Sequence, residues 1–152
     1  MRPFLLIALA SFAASCQSAD SPFTNGNLLT EVTEDPFGGA IPSPEGGLAV
    51  TNSVKVWEPG FQTPWHFHPF SGPATIIQGE LTIDYDRETP IYALGAEKKA
   101  TVRRTFKAGD SFMAVANTWH TSYNLGSEDL IFTVAWMGAK GQPLTQFHEE
   151  GE

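Results

Sequence analysis

Residues 63–70, TPWHFHPF, set two histidines one residue apart. Side chains at i and i+2 of an extended strand share a face, so His66 and His68 point one way and Trp65 and Phe67 the other. Neutral imidazole is the commonest metal ligand, and two on one strand face can meet a single ion. The same pair can equally line a polar cleft, so on its own it leaves both readings open. Of the four histidines in the chain, the other two lie far downstream. His120 stands in GDSFMAVANTWHTSYN; His148 stands in the acidic tail TQFHEEGE, where it reads as solvent-exposed rather than as a ligand. There is no glycine-rich phosphate loop, nucleophile elbow or pair of catalytic carboxylates.

The elements that must position these residues read as strands. From Leu48 onward LAVTNSVKVW, ATIIQGELTIDYD, KATVRRTFKAGDSFMAV and DLIFTVAWM are rich in valine, isoleucine, threonine and aromatics, and several alternate. QGE at 78–80 predicts a hairpin between two such runs, and AGD at 108–110 and NLGSED at 124–129 predict further turns. No window has a clear apolar period of 3.6, so helix should be scarce. Short strands with regular turns predict an all-β sandwich or small barrel. The 152 residues suit one domain, and 41% hydrophobic residues are enough for a core. A net charge of −8 lacks the basic footprint of a nucleic-acid binder, and no polybasic stretch invites an anionic membrane.

The N-terminal run MRPFLLIALASFAASC reads as a leader: Arg2, an apolar run from Phe4 to Ala14, then small residues. It is too short to span a bilayer as a helix. Cys16, the single cysteine, follows Ala13-Ala14-Ser15, an arrangement that resembles a bacterial lipoprotein lipobox, with alanine where leucine is commoner. The expectation is an exported protein, periplasmic or anchored to a membrane only through a lipid on Cys16; the alternative is a plain secretory signal. One cysteine allows no internal disulfide. The expected organisation is a removed signal at 1–15, a linker and flexible arm at 16–47, a barrel at 48–140 and a tail at 141–152.

Two stretches around the histidines resemble the signature motifs of the cupin superfamily. In the first, Gly60, His66, His68 and Gly79 stand at the spacing of its glycine, His-x-His pair and closing glycine. In the second, Gly109, His120 and Asn124 match. The resemblance runs from Leu48 to Met137 and implies a double-stranded β-helix, the cupin jelly-roll barrel, with His66, His68 and His120 as three inward metal ligands. The departures are Gly72 at the place of the glutamate ligand, Val115 for a proline and Asn117 for a glycine. No acidic residue lies between Glu58 and Glu80 to replace the glutamate. Asn117 suits the same turn, because asparagine tolerates left-handed backbone. The segment DRETPIYALGAEKKATVRR is expected to form a loop or hairpin extension, with its EKK and RR groups as a solvated face.

If Gly72 faces inward like the family glutamate, Ala74 and Ile76 follow by period two. Leu81, Ile83, Tyr85, Phe112 and Ala114 join them around an apolar pocket for a small-molecule substrate. Leu81, Ile83 and Phe112 read first as barrel core. Tyr85 is the candidate catalytic residue, because its hydroxyl can orient substrate. The resemblance implies a divalent metal (iron, manganese, nickel or zinc) and an enzyme of dioxygenase-like or hydrolytic type; the alternative is a non-catalytic small-ligand-binding lipoprotein. Trp65, Phe67 and Phe70 are candidates for a homodimer interface, with packing under the N-terminal arm as the competing explanation.

Overall fold

The computed structural model describes residues 27–45 and 47–148. The leader, Cys16 and the last four residues of the tail lie outside the described residues. Nine strands follow one another: β1 (Leu48–Trp57), β2 (His66–Phe67), β3 (Pro73–Gln78), β4 (Glu80–Asp86), β5 (Val102–Lys107), β6 (Ser111–Met113), β7 (Trp119–Tyr123), β8 (Leu130–Ala139) and β9 (Gln146–Phe147). There is no helix among the described residues, and so none long and apolar enough to cross a membrane. The strands form two antiparallel sheets, one in the order β1-β8-β3-β6 and the other β5-β4-β7-β2-β9. The all-β fold agrees with the reading of the sequence.

Alternation decides which side chains meet between the sheets. Along β8, Leu130, Phe132 and Val134 are buried while Ile131 and Thr133 face outward. On the opposite sheet Leu81, Ile83 and Tyr85 of β4 complete the same cluster. Burying several such side chains, at about 1.5–3 kcal/mol each, is what holds a barrel without a disulfide together.

The expected hairpin at 78–80 is not one. β3 pairs with β6 and β8, whereas β4 pairs with β5 and β7. Gly79, at φ +75, turns the chain from one sheet into the other, and its missing Cβ would lie 3.1 Å from the Asp129 carbonyl oxygen. A hairpin turn and a corner between sheets both ask for left-handed glycine, so the local sequence looks alike for the two. The true hairpin is β4–β5, closed by the long loop 87–101. Asp86 staples that loop: its carboxylate accepts the backbone N–H groups of Glu88, Thr89 and Lys99.

Three surface expectations are corrected. Phe67 is buried against the Trp119 ring, at 4.9 Å, and so offers no interface, while Trp65 and Phe70, which lies over Gly138, are half-buried. Lys98 is buried rather than solvated: its ammonium sits over Trp119 and donates to the carbonyls of Ala93, Leu94 and Ala96. His148 is not free in solvent either. Its backbone N–H donates to the Trp65 carbonyl and its ring meets the Leu94 carbonyl. These contacts hold the end of the described chain beside β2, where β9 pairs with it.

Candidate metal centre

Strand pairing assembles the site. His66 on β2 lies directly opposite His120 on β7, and His120 lies opposite Tyr85 on β4. Directly paired residues of an antiparallel sheet share a face, so the three form one row across the inner surface. His68 follows two residues after His66 and joins from the end of β2. The second turn fixes its place: Asn117, at φ +51, donates its N–H to the His68 carbonyl. The ring centroids of the three histidines are 4.3–5.1 Å apart, and one ligand nitrogen of each lies within 4.8 Å of the others.

Each ring is oriented by its second nitrogen. Nδ1 of His66 meets the Pro64 carbonyl at 2.8 Å, Nδ1 of His68 the Leu144 carbonyl at 2.8 Å, and Nδ1 of His120 the Thr118 carbonyl at 2.9 Å. A carbonyl only accepts, so Nδ1 carries the proton in all three and each Nε2 keeps a free lone pair. Burial then keeps the rings neutral. It pushes His68 down to about 3, helped by the neighbouring charges of His66 and Lys55, and pushes His120 well below its ordinary range and His66 below it as well. Three neutral, converging, backbone-braced imidazoles fit a divalent transition metal.

The absent carboxylate ligand has a structural cause. Gly72 is flanked on both sides by backbone: its carbonyl accepts from Ala114, and Ser71 accepts from Met137. A Cβ at Gly72 would stand 2.3 Å from the Ala135 carbonyl oxygen. The strand β8 backbone thus fills the room a side chain would need, and the Trp136 ring lies 3.9 Å from the His68 ring. Gly72 therefore does not face the pocket, contrary to the inward placement expected from the family glutamate.

A cavity of about 360 Å³ opens beside the histidines. Ala74, Tyr85, Phe112 and Ala114 line it, as do Leu81 and Ile83. Gly72 and Ile76 do not; Ile76 is fully buried in the core. Trp57, Phe61, Phe132, Trp136 and Phe147 supply an aromatic wall that the motif left unnamed. Among the described residues Lys55 is the one charged side chain on that wall, and no carboxylate joins it. Lys55 and Trp57 were legible as the inward half of the alternation in β1. Thr145 and Phe147 were not, because nothing local marks a polar tail as the closing edge of a pocket. The Tyr85 hydroxyl is held protonated, its pKa raised by burial and by the charge of Asp35. Asn124 is structural. The Asn124 amide donates to the Trp57 and Glu128 carbonyls and its oxygen accepts from Gly126, which closes the β7–β8 turn.

A sequence model described as a cupin domain matches residues 53–136, more than half of the chain. No curated protein matches. Among solved structures, the L-ribose isomerase of Cellulomonas parahominis superposes with a TM-score of 0.54 at 15% identity, covering 68% of this chain and 59% of that one. The DMSP lyase DddQ of Ruegeria pomeroyi DSS-3 gives 0.50 at 19% identity, covering 76% and 49%. Oxalate decarboxylase of Bacillus subtilis, described with Mn(II) centres, gives 0.49 at 19% identity, covering 64% and 23%. This chain spans less than two thirds of each of these proteins. At such identity the likeness is one of fold.

Proposed function

The chain belongs to the cupin family, and on that premise we propose that it is an exported metalloprotein whose three histidines hold one divalent ion for chemistry on a small, anionic, partly apolar organic molecule. The observation that carries this is the common bracing of His66, His68 and His120: each Nδ1–H is tied to a backbone carbonyl, so the free lone pairs of three buried rings lie close together. A bound divalent ion supplies Lewis acidity or, where redox-active, oxygen chemistry. The rest falls to the chain's own groups. Lys55 at the pocket wall attracts an anionic group, unopposed by any carboxylate among the described lining residues. The aromatic wall excludes water around the apolar part of the ligand. Tyr85, in the same row as His120 and kept protonated, donates a hydrogen bond to a substrate oxygen.

The second reading, a small-ligand-binding lipoprotein without turnover, draws on the closed carboxylate position at Gly72 and on the want of a carboxylate among the described lining residues. Export, removal of residues 1–15 and a lipid on Cys16 are part of the same proposal and are read from the mass of the mature N-terminus. The deciding experiment is the metal content of protein purified from its native compartment without a histidine tag, beside a His66→Ala/His120→Ala variant. About one iron, manganese, nickel or zinc per chain, lost in the variant, is expected for a three-histidine site. No metal in either protein, even after anaerobic reconstitution, overturns the metal reading. Turnover by the loaded protein separates enzyme from binder.

A further inference from the structure

Two aromatic neighbours fix the ring of Tyr85, and one of them comes from the segment before β1. The Tyr85 ring lies 5.6 Å from the His120 ring and 5.0 Å from the Phe37 ring, which it meets edge to face at 88°. Phe37 does not line the cavity, so it reaches Tyr85 without touching what the cavity holds. It is half-buried and packs against the core cluster. Area burial alone asks for no particular angle between rings; an edge-to-face contact does.

The turn that delivers Phe37 is closed by Asp35. The Asp35 carboxylate accepts the backbone N–H groups of Phe37 and Gly39, at 2.7 and 3.0 Å. The Asp35 N–H donates to the Gly39 carbonyl, and its own carbonyl accepts from Gly38. Gly38 takes a φ of +78, and Glu34 pairs with Ala40 across the base of the turn. Two cations then hold the ring. The guanidinium carbons of Arg87 and Arg104 lie 4.6 and 5.1 Å from its centroid. Among the described residues the carboxylate ion pair belongs to Arg103, with Asp84, and to neither of these. Arg87 directly follows β4 and Arg104 lies on β5, so both strands of the hairpin that carries Tyr85 reach for Phe37.

We propose that Phe37 is a positioning residue, which holds the Tyr85 ring at the angle from which its hydroxyl meets a substrate oxygen beside the three histidines. This role rests on that of Tyr85 as a donor to substrate, and it makes the turn at residues 33–41 part of the site. The lever is strong, because a displacement of about 1 Å at a site that orients substrate can cost about a hundredfold in rate.

Two measurements on the full chain test it, with thermal unfolding as the control for fold and F37M in place of F37L should the latter not fold. The first needs no metal. With carbon-13 on the tyrosine rings, Y85F identifies which of the three tyrosine signals belongs to Tyr85. Relaxation of that signal should report one ordered ring in the native protein and added motion in F37L. A lost ring current shifts a signal but adds no motion. Unchanged relaxation in folded F37L overturns the role of Phe37 and leaves that of Tyr85 standing. The second measurement loads the protein with cobalt(II) and titrates azide, an anion that accepts a hydrogen bond, through the visible bands of the metal. Y85F should weaken azide binding about tenfold, the worth of one hydrogen bond to a charged group. F37L should weaken it comparably in the native background and not at all in the Y85F background, since a residue acting through Tyr85 then has nothing to act on. Equal losses in both backgrounds overturn the proposal. Azide indifferent to Y85F overturns the role of Tyr85, and that of Phe37 with it. A native protein that takes up no cobalt overturns the metal reading alone, and the relaxation of Tyr85 then decides for Phe37.

Discussion

At the scale of the residue, the site turns on the absence of one side chain. The Gly72 Cα faces the β8 backbone so closely that even a methyl group would overlap Ala135. Restoring the family glutamate there therefore cannot add a fourth ligand, since the carboxylate has no path past the strand. Gly72→Ala should already destabilise the barrel by about 1–3 kcal/mol, the usual cost of overpacking, and Gly72→Glu by at least as much. Denaturant unfolding with metal analysis reads both. A stable Gly72→Glu protein that binds its ion more tightly would show that β8 can move aside. Asn117 is the opposite case. Its φ of +51 suits asparagine, which explains how it replaces the family glycine and still delivers its N–H to His68.

At the scale of the element, β9 is short but holds two parts of the site together. It pairs with β2, its neighbour Leu144 gives His68 its carbonyl partner, and Phe147 and Thr145 close the pocket. Ending the chain at Gly141 removes all of these while leaving the β1–β8 and β3–β8 ladders intact. Loss of an outer partner of a ligating histidine typically weakens metal binding 10–100-fold, and that drop is expected here in a competition titration with a chelator. Unchanged affinity would mean that His68 needs no brace. The same element marks where reading the sequence stops. His66 and His68 were visible because period two puts them on one face, and the barrel was visible in its alternating β-branched runs. The direct opposition of His66 and His120 is a matter of register between distant strands, which spacing cannot state. The corner at Gly79 used the same turn chemistry as a hairpin, and only the partner strands tell them apart. β9 carries no local signal, because two residues of an acidic tail become a strand only when β2 offers an edge.

At the scale of the whole molecule, the barrel has placed several titratable groups where water is scarce, and its stability must follow their protons. The three histidines are held neutral, their pKa values lowered by burial. An unfolded histidine titrates near 6.5, so below about that pH the unfolded chain binds protons that the folded chain refuses. Stability is thus complete above that point and falls as the pH drops, by up to about 1.4 kcal/mol per pH unit for each histidine. Asp84 and Asp86 add a second, lower window. Hydrogen bonding to Arg103 lowers the first; burial raises the second, but its backbone hydrogen bonds outweigh that and leave it below the ordinary range. Their contribution is present above the unfolded value of about 3.9 and is lost as the pH falls through the folded ones. A bound ion deepens the first window, because protons compete with it for the same lone pairs. Thermal unfolding from pH 8 to 3 should therefore show a melting temperature that is flat above about 6.5 and declines below it. The decline should be steeper with metal than after chelation. In His120→Asn it should be shallower, since one of the refused protons is gone. A melting temperature unmoved between pH 6.5 and 5 would mean that the three rings accept protons in place, and that the pocket is wetter than its aromatic wall implies.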